Sequence, residues 1–220
     1  MRKGTEGTEG TKGTKGTEGT KVGEVPLVLA SSSLRRRELL GLLGLTFEVV
    51  PAAIDEAWRI GETPAAHAER LAREKAAAVA RPRSAVVAAD TIVVIDGDIL
   101  GKPKGAADAA AMLRRLSGRE HVVHTAVAVV FAGRTASGVE STRVWFRPLD
   151  ERTIAEYVAT GEPLDKAGGY GIQGYGAVIV ERIAGDYFTV MGLGLGRMVA
   201  LLGEVGLVYR FGRLEETVSR

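Results

Sequence analysis

The apolar pattern along the chain alternates between a strand-like and a helix-like period. Residues 25–30 are apolar throughout, the pattern of a buried strand. Ser33 then stands as the N-cap of a helix expected to run to residue 43. Leu34, Leu39, Leu40, Leu42 and Leu43 form its apolar side, and Gly44 stops it. Residues 47–50 read as a second strand. Thr63-Pro64 is an N-cap followed by proline at the first helical position. The helix it opens is expected to reach residue 80, with Leu71, Ala72, Lys75 and Ala76 within two turns. Residues 85–95 predict a long strand that ends on the Asp96-Gly97 turn. Ile99-Leu100 is a short strand beyond it. A third helix is predicted over 106–116, closed by Ser117-Gly118. Residues 121–131 and 139–146 predict paired strands around Gly133, and Asp150 caps a helix to 159. Residues 168–176 read as a glycine-dense loop. Residues 177–183 and 187–190 read as a hairpin around Gly185-Asp186, and a last helix covers 195–202.

Strands and helices interleaved in this way predict an α/β fold. The expected architecture is a mixed β-sheet flanked by helices, with antiparallel hairpins and two lobes around a cleft. No Pro-, Gly- or Ser-rich linker divides the body, so one domain is expected over 25–208, followed by a short tail over 209–220. Residues 1–24 are different. After Met1, Arg2 and Lys3 come Gly-Thr-Glu and Gly-Thr-Lys triplets that end at Lys21. They carry no apolar side chain to bury, so this segment is expected to be disordered. A charged arm is the rival reading, weakened by its mixed signs. The perfect period also admits a start near Val22 or Val25, which an intact mass that includes residue 1 would overturn.

Composition changes the picture by exclusion. The chain has 220 residues, 45% of them hydrophobic and 25% charged, which is ordinary for a globular protein. Cysteine is absent, which removes disulfides, thiolate metal sites and cysteine nucleophiles together. A reducing compartment fits this, and a cytoplasmic location is expected. No apolar run is long enough to span a bilayer, so no membrane partner is expected. The net charge is +2, and residues 26–209 carry equal numbers of acidic and basic side chains. Nothing in that balance argues for a nucleic-acid face, and no nucleic-acid partner is expected.

Familiar templates fail. Gly97 to Lys102 has the wrong spacing for a phosphate-binding P-loop, and Pro103 follows where Ser or Thr is needed. Arg197 occupies the third glycine's place in the Gly192, Gly194 series, so there is no dinucleotide fingerprint. No G-x-S-x-G elbow exists. His121 and His124 sit three apart on a strand and point to opposite faces.

Five segments remain, each with a functional and a plain reading. Ser31-Ser32-Ser33-Leu34-Arg35-Arg36-Arg37 places hydroxyls, free backbone N–H groups and guanidinium groups at a helix start, which suits phosphate; the alternative is a cap with a solvated basic face. Asp90 interrupts an apolar strand, where a lone carboxylate is costly unless it is paired, metal-bound or at the sheet edge. Lys102 sits on a corner stiffened by Pro103, either against a phosphate or simply exposed. Lys75 lies on the apolar side of its helix and either snorkels out or enters a cleft. Finally, 163–174 reads P-L-D-K-A-G-G-Y-G-I-Q-G, a stretch that lets backbone approach a ligand, with Gln173 as its one amide. A flexible loop is the alternative, against which Tyr170 and Ile172 argue.

In order and spacing, A-S-S-S-x-R-R-R-E-L-L, A-A-D-T-I-V, G-K-P and P-L-D-K-A-G-G-Y-G-I-Q-G resemble the Maf family of nucleoside triphosphate pyrophosphatases over about residues 27–205. The resemblance implies hydrolysis of a nucleoside triphosphate to the monophosphate and pyrophosphate. It also implies a divalent cation, Mg²⁺ or Mn²⁺, and a homodimer. By the same resemblance Asp90 is the proton acceptor and, with Glu56, a metal ligand. Ser31, Ser33, Arg36, Lys75 and Lys102 are the phosphate-binding residues. Arg35, Thr91 and Gln173 match the positions that divide the family by substrate, and this trio resembles the dTTP/UTP subgroup, with modified pyrimidine nucleotides as further substrates. A glutamine amide both donates and accepts, as a thymine or uracil edge requires. The alternatives are a 7-methyl-GTP or non-standard purine pyrophosphatase of the same fold, or a nucleotide-binding regulator of septum formation. Leu34 stands where the family usually has proline, and Gly194 departs from its V-G-L-P-L pattern.

Overall fold

A computed structural model describes residues 24–217; the triplet repeat lies outside the described residues. In chain order the elements are β1 (Leu27–Leu29), α1 (Leu34–Gly41), β2 (Phe47–Val49), α2 (Pro64–Ala78), β3 (Ala85–Ile95), β4 (Asp98–Leu100), α3 (Ala106–Leu116), β5 (Glu120–Phe131), β6 (Arg134–Phe146), α4 (Glu151–Ala159), β7 (Val180–Ala184), α5 (Tyr187–Met191), α6 (Leu195–Glu204), β8 (Leu207–Tyr209) and β9 (Leu214–Glu216). Three 3₁₀ turns, Glu162–Asp165, Ala167–Gly169 and Gly174–Val178, fill the stretch between α4 and β7.

The main sheet runs β2-β1-β3-β5-β6-β7, with β4 also on β3. β1 is parallel to β2 and β3, and the remaining pairs are antiparallel. This is the mixed α/β sheet with hairpins that the pattern predicts. Its two faces and its far end bury three apolar clusters. Leu39, Leu40, Val87, Ala89, Met198 and Leu202 build one beneath α1 and α6. Val93, Leu113, Leu116, Phe146 and Tyr157 build another around α3 and α4. Ala68, Ala72 and Ala76 of α2 lie flat on Val86, Ala88 and Ile92 of β3 in the third. Small side chains on that face of α2 let the helix approach the sheet closely. Among the described residues, no helix is long and apolar enough to cross a membrane.

The cleft follows from how β3 is paired. β5 covers one edge of β3 from Val86 to Val94. On the other edge β1 pairs only with Ala85 to Val87, and β4 only with Val93 to Ile95. Between them, residues 88–92 have no strand alongside among the described residues. That gap lies beyond the carboxyl end of the parallel strand β1, where open α/β sheets place their ligand crevices.

Several expectations are corrected. The strand expected at 187–190 is the helix α5, despite its β-branched and aromatic residues. Asp186, read as a turn residue, is its N-cap and accepts from the Thr189 backbone N–H at 2.6 Å. With its return strand gone, the hairpin around Gly185-Asp186 does not form. β7 begins at Val180 rather than 177, because 174–178 is wound into a 3₁₀ turn. β6 begins at Arg134 rather than 139, directly after the Ala132-Gly133 turn. α1 and α2 end two residues early, at Gly41 and Ala78. The segment expected as a tail from 209 carries β9. There Leu214 is 1% exposed in the core and its carbonyl accepts from Val25 N at 2.8 Å. Its leucine had no periodic neighbours to announce a strand.

Candidate active site

The gap along β3 opens a cleft of about 710 Å³. Side chains on both faces of β3 reach it because the edge there is bare. Asp90 shares the face of Ala88 and Ile92, toward α2, and is 9% exposed. Thr91 shares the opposite face with Ala89.

Asp90 is paired. Its Oδ1 accepts from Lys75 Nζ at 2.8 Å, and the same ammonium meets Glu56 Oε1 at 2.7 Å. Lys75 reaches this point from the cleft-facing side of α2, next to the alanines that seat the helix on β3. Of the two sequence readings of Lys75, entry into the cleft is the observed one. Burial pushes the Glu56 carboxyl up, but the hydrogen bond and charge of Lys75, with Lys102 and Arg36 behind, bring it below the usual glutamate range. Among the described residues no group of three or more His, Asp or Glu side chains is arranged so that it could hold a metal ion. The candidate cation site is therefore a carboxylate pair. That donor set fits Mg²⁺ or Mn²⁺, hard ions that take one or two carboxylates and complete their shell with water and substrate phosphates.

The turn from β1 into α1 forms the facing wall. Ser33 caps α1, its Oγ accepting from Arg36 N at 3.4 Å. Ser31 Oγ accepts from Ser33 N at 3.2 Å and from Arg36 Nη1 at 3.3 Å. Arg36 is half-buried and fixed on three sides. Its Nε donates to Gly192 O at 2.8 Å, and its Nη2 donates to Thr91 Oγ1 at 3.1 Å. Burial lowers its pKa, and the Asp90 charge partly restores it.

Thr91 is committed on two sides. Thr125 Oγ1 spends its proton on Thr189 O at 2.7 Å, so the 3.0 Å contact between Thr91 and Thr125 has Thr91 donating. With Arg36 donating to it as well, Thr91 braces the guanidinium from beneath. Arg35, on the other side of α1, donates to Asp165 Oδ2 at 3.0 Å, and Lys166 Nζ holds Asp165 Oδ1 at 2.7 Å. Lys102 lines the cleft on the corner after β4 and is exposed, with no ion pair among the described residues. Gln173 is half-buried and lines both the cleft and a smaller adjoining pocket of about 210 Å³ that Arg35 also lines. The structure thus brings Ser31, Ser33, Arg35, Arg36, Glu56, Lys75, Asp90, Thr91, Lys102 and Gln173 to one cleft.

Other residues here escaped the sequence reading. Glu62, His67 and Arg70 form a network with Glu74, the residue before Lys75, under the segment that carries Glu56. Glu62 bonds Arg70 and lies 2.9 Å from His67 Nδ1, and Arg70 Nη2 donates to Ala57 O at 2.9 Å. The Arg70 hydrogen bond, against a little burial and with help from His67, holds the Glu62 carboxyl down at about 2. Trp58 stacks on His67 at a centroid separation of 4.2 Å on the cleft wall. A tryptophan isolated in an irregular polar stretch was the one available signal. Asp165 and Lys166 lie inside the quoted P-L-D-K segment, but only the fold shows that Asp165, held by Lys166, meets Arg35.

The Maf-like protein family matches residues 26–205. A dTTP/UTP pyrophosphatase of Moorella thermoacetica is 54% identical over 185 residues, spanning 82% of this chain and 95% of that protein. A dTTP/UTP pyrophosphatase of Syntrophomonas wolfei subsp. wolfei is 50% identical over 182 residues, spanning 81% of this chain and 96% of that protein. Among solved structures, the Ham1 protein of Staphylococcus aureus is similar at a TM-score of 0.43 and 15% identity, over 80% of this chain and 90% of that one. With a family match along nearly the whole body and relatives at half identity over almost their full lengths, the chain belongs to the Maf-like protein family.

Proposed function

We propose that the protein hydrolyses dTTP and UTP between the α- and β-phosphates, releasing pyrophosphate and the nucleoside monophosphate. The observation that carries this reading is the pairing of Asp90 and Glu56 on Lys75 in the cleft that Arg36 and the α1 N-terminus also line. A carboxylate pair facing fixed cations is what phosphoryl transfer needs, since positioning and charge stabilisation do most of the work. Asp90 accepts the proton of the water whose oxygen attacks the α-phosphorus. The bond from that phosphorus to the α–β bridging oxygen breaks, and pyrophosphate leaves with the electron pair. Arg36, Lys102 and the hydroxyls of Ser31 and Ser33 hold the phosphates. Asp90 and Glu56 would hold Mg²⁺ or Mn²⁺, which when bound neutralises phosphate charge. Cytoplasmic location and assembly as a homodimer belong to the same proposal.

A pyrophosphate-release assay over a nucleotide panel tests it. With Mg²⁺ or Mn²⁺, dTTP and UTP are expected to give the highest kcat/KM, and a chelator is expected to remove turnover. Preference for 7-methyl-GTP or a purine would overturn the substrate assignment, and tight binding with no pyrophosphate release would indicate a binding protein.

Gln173→Glu is expected to cut kcat/KM for UTP by about 10²-fold while sparing purines, because a site built to hydrogen-bond a substrate N–H and carbonyl rejects a mismatched partner strongly. A carboxylate only accepts, so it repels a pyrimidine carbonyl. Identical ratios across the panel would remove Gln173 from base selection.

A further inference from the structure

Gln173 has a side-chain oxygen that is buried with no hydrogen-bond partner in the protein. A buried amide oxygen left unpaired costs free energy, so the orientation of this amide is set by the chain that carries it rather than by a hydrogen bond to its oxygen. It is held there by a backbone that makes no use of regular secondary structure. Around Gln173 the chain is extended and then turns into the 3₁₀ segment Gly174–Val178. Something outside the loop must fix it.

Two side chains do so. The Tyr157 hydroxyl, from α4, accepts from the Gly171 backbone N–H at 3.1 Å and donates to Glu162 Oε1 at 2.8 Å. Glu162 also accepts from Tyr175 N at 2.9 Å and from Gly176 N at 3.0 Å. One carboxylate and one phenol thus take the backbone N–H groups on both sides of Gln173. The fit is close. A Cβ on Gly176 would lie 2.1 Å from Gly171 O and 2.6 Å from the Tyr157 hydroxyl, and one on Gly174 would lie 2.4 Å from Glu162 Oε2. Gly174 also has φ +70°, which favours glycine. The glycines of this stretch serve a loop wrapped on a fixed acceptor, rather than flexibility. Burial, helped by the neighbouring Glu162, holds the Tyr157 phenol well above its ordinary range, so it stays protonated and keeps its donor. Tyr157 does not line the cleft, and Glu162 reaches only the smaller pocket behind Gln173.

We propose that Tyr157 and Glu162 are positioning residues that set base selectivity by aiming the Gln173 amide into the cleft. The proposal rests on the reading in which Gln173 contacts the pyrimidine edge. UTP presents a ring N–H and a carbonyl there, whereas CTP presents an unprotonated ring nitrogen and an amine. Selectivity between the two reports the aim of the amide and is blind to general loss of activity.

The test is kcat/KM for UTP and CTP in Tyr157→Phe, Gln173→Ala and the double variant, measured well below each melting temperature. Tyr157→Phe is expected to lower the UTP-to-CTP ratio about fivefold, the worth of one net hydrogen bond, mainly through a raised KM for UTP. In the Gln173→Ala background it is expected to leave the ratio unchanged, because the group being aimed is gone. A lowered ratio in Gln173→Ala with an unchanged ratio in Tyr157→Phe would overturn the positioning role alone. Additive effects in the double variant would overturn it too. An unchanged ratio in Gln173→Ala would overturn the base-contact reading, and the proposal with it. Should Tyr157→Phe fail to fold, Glu162→Gln carries the same test, since it keeps the shape while turning one acceptor into a donor facing backbone N–H groups.

Discussion

Asp90→Asn is expected to lower kcat for dTTP by about 10³-fold, within the range that a positioned general base contributes, while the protein stays folded. The substitution keeps the size of the side chain and leaves an amide oxygen for Lys75, which donates to Oδ1 at 2.8 Å. Breaking a buried ion pair by removing one partner is usually costly, because the other charge is left uncompensated. Here Lys75 retains the Glu56 carboxylate at 2.7 Å, so the loss of stability should be small. That second carboxylate remains charged as the pH falls through the usual glutamate range, because Lys75 holds its pKa down against the effect of burial. Its pairing therefore contributes stability above the ordinary glutamate pKa, and that contribution fades only as the pH drops through the lowered value. Pyrophosphate release and a thermal melt on the same preparation separate the two effects. Wild-type turnover in Asp90→Asn would remove Asp90 from proton transfer, whatever the melt shows.

How Asp90 could be singled out in sequence is instructive. An acid inside an apolar strand breaks the expected pattern, and such breaks concentrate where function needs them. The same applies to Lys75 among the alanines of α2, whose start was legible from Thr63-Pro64. What sequence could not show is the bare edge of β3. That edge exists because β1 and β4, far apart in the chain, pair with opposite ends of one strand. Such register is a tertiary property, and a strand that reads as uniformly buried hides it. The helix α5 departs from its sequence pattern for a related reason. Tyr187, Phe188, Thr189 and Val190 have strand propensity, and one capping carboxylate overrides it. The Tyr157–Glu162 clamp joins residues on either side of a loop that looks merely flexible when its glycines are read alone. Neither side chain breaks any local pattern, so the sequence alone does not mark either one.

Arg36→Met is expected to cost both activity and stability, and Arg36→Lys to restore only part of each. The guanidinium joins three chain segments by donating to Ser31 Oγ, Thr91 Oγ1 and Gly192 O. Methionine leaves the Gly192 carbonyl and two hydroxyls short of a donor, at about 1–3 kcal/mol for a buried acceptor. For a chain of this length that corresponds to a fall in melting temperature of about 5 °C. The charge lost from the phosphate site is expected to lower kcat/KM for dTTP by about 10²-fold or more, as removal of one preorganised donor to developing negative charge does. Lysine returns the charge but not the planar fork, so it cannot reach the Gly192 carbonyl, the Thr91 hydroxyl and a phosphate together. Arg36→Lys should therefore regain more kcat/KM than melting temperature. A lysine variant equal to wild type in both would show that the site needs only a cation at this point. The brace of Thr91 and Thr125 beneath Arg36 would then have no part in catalysis.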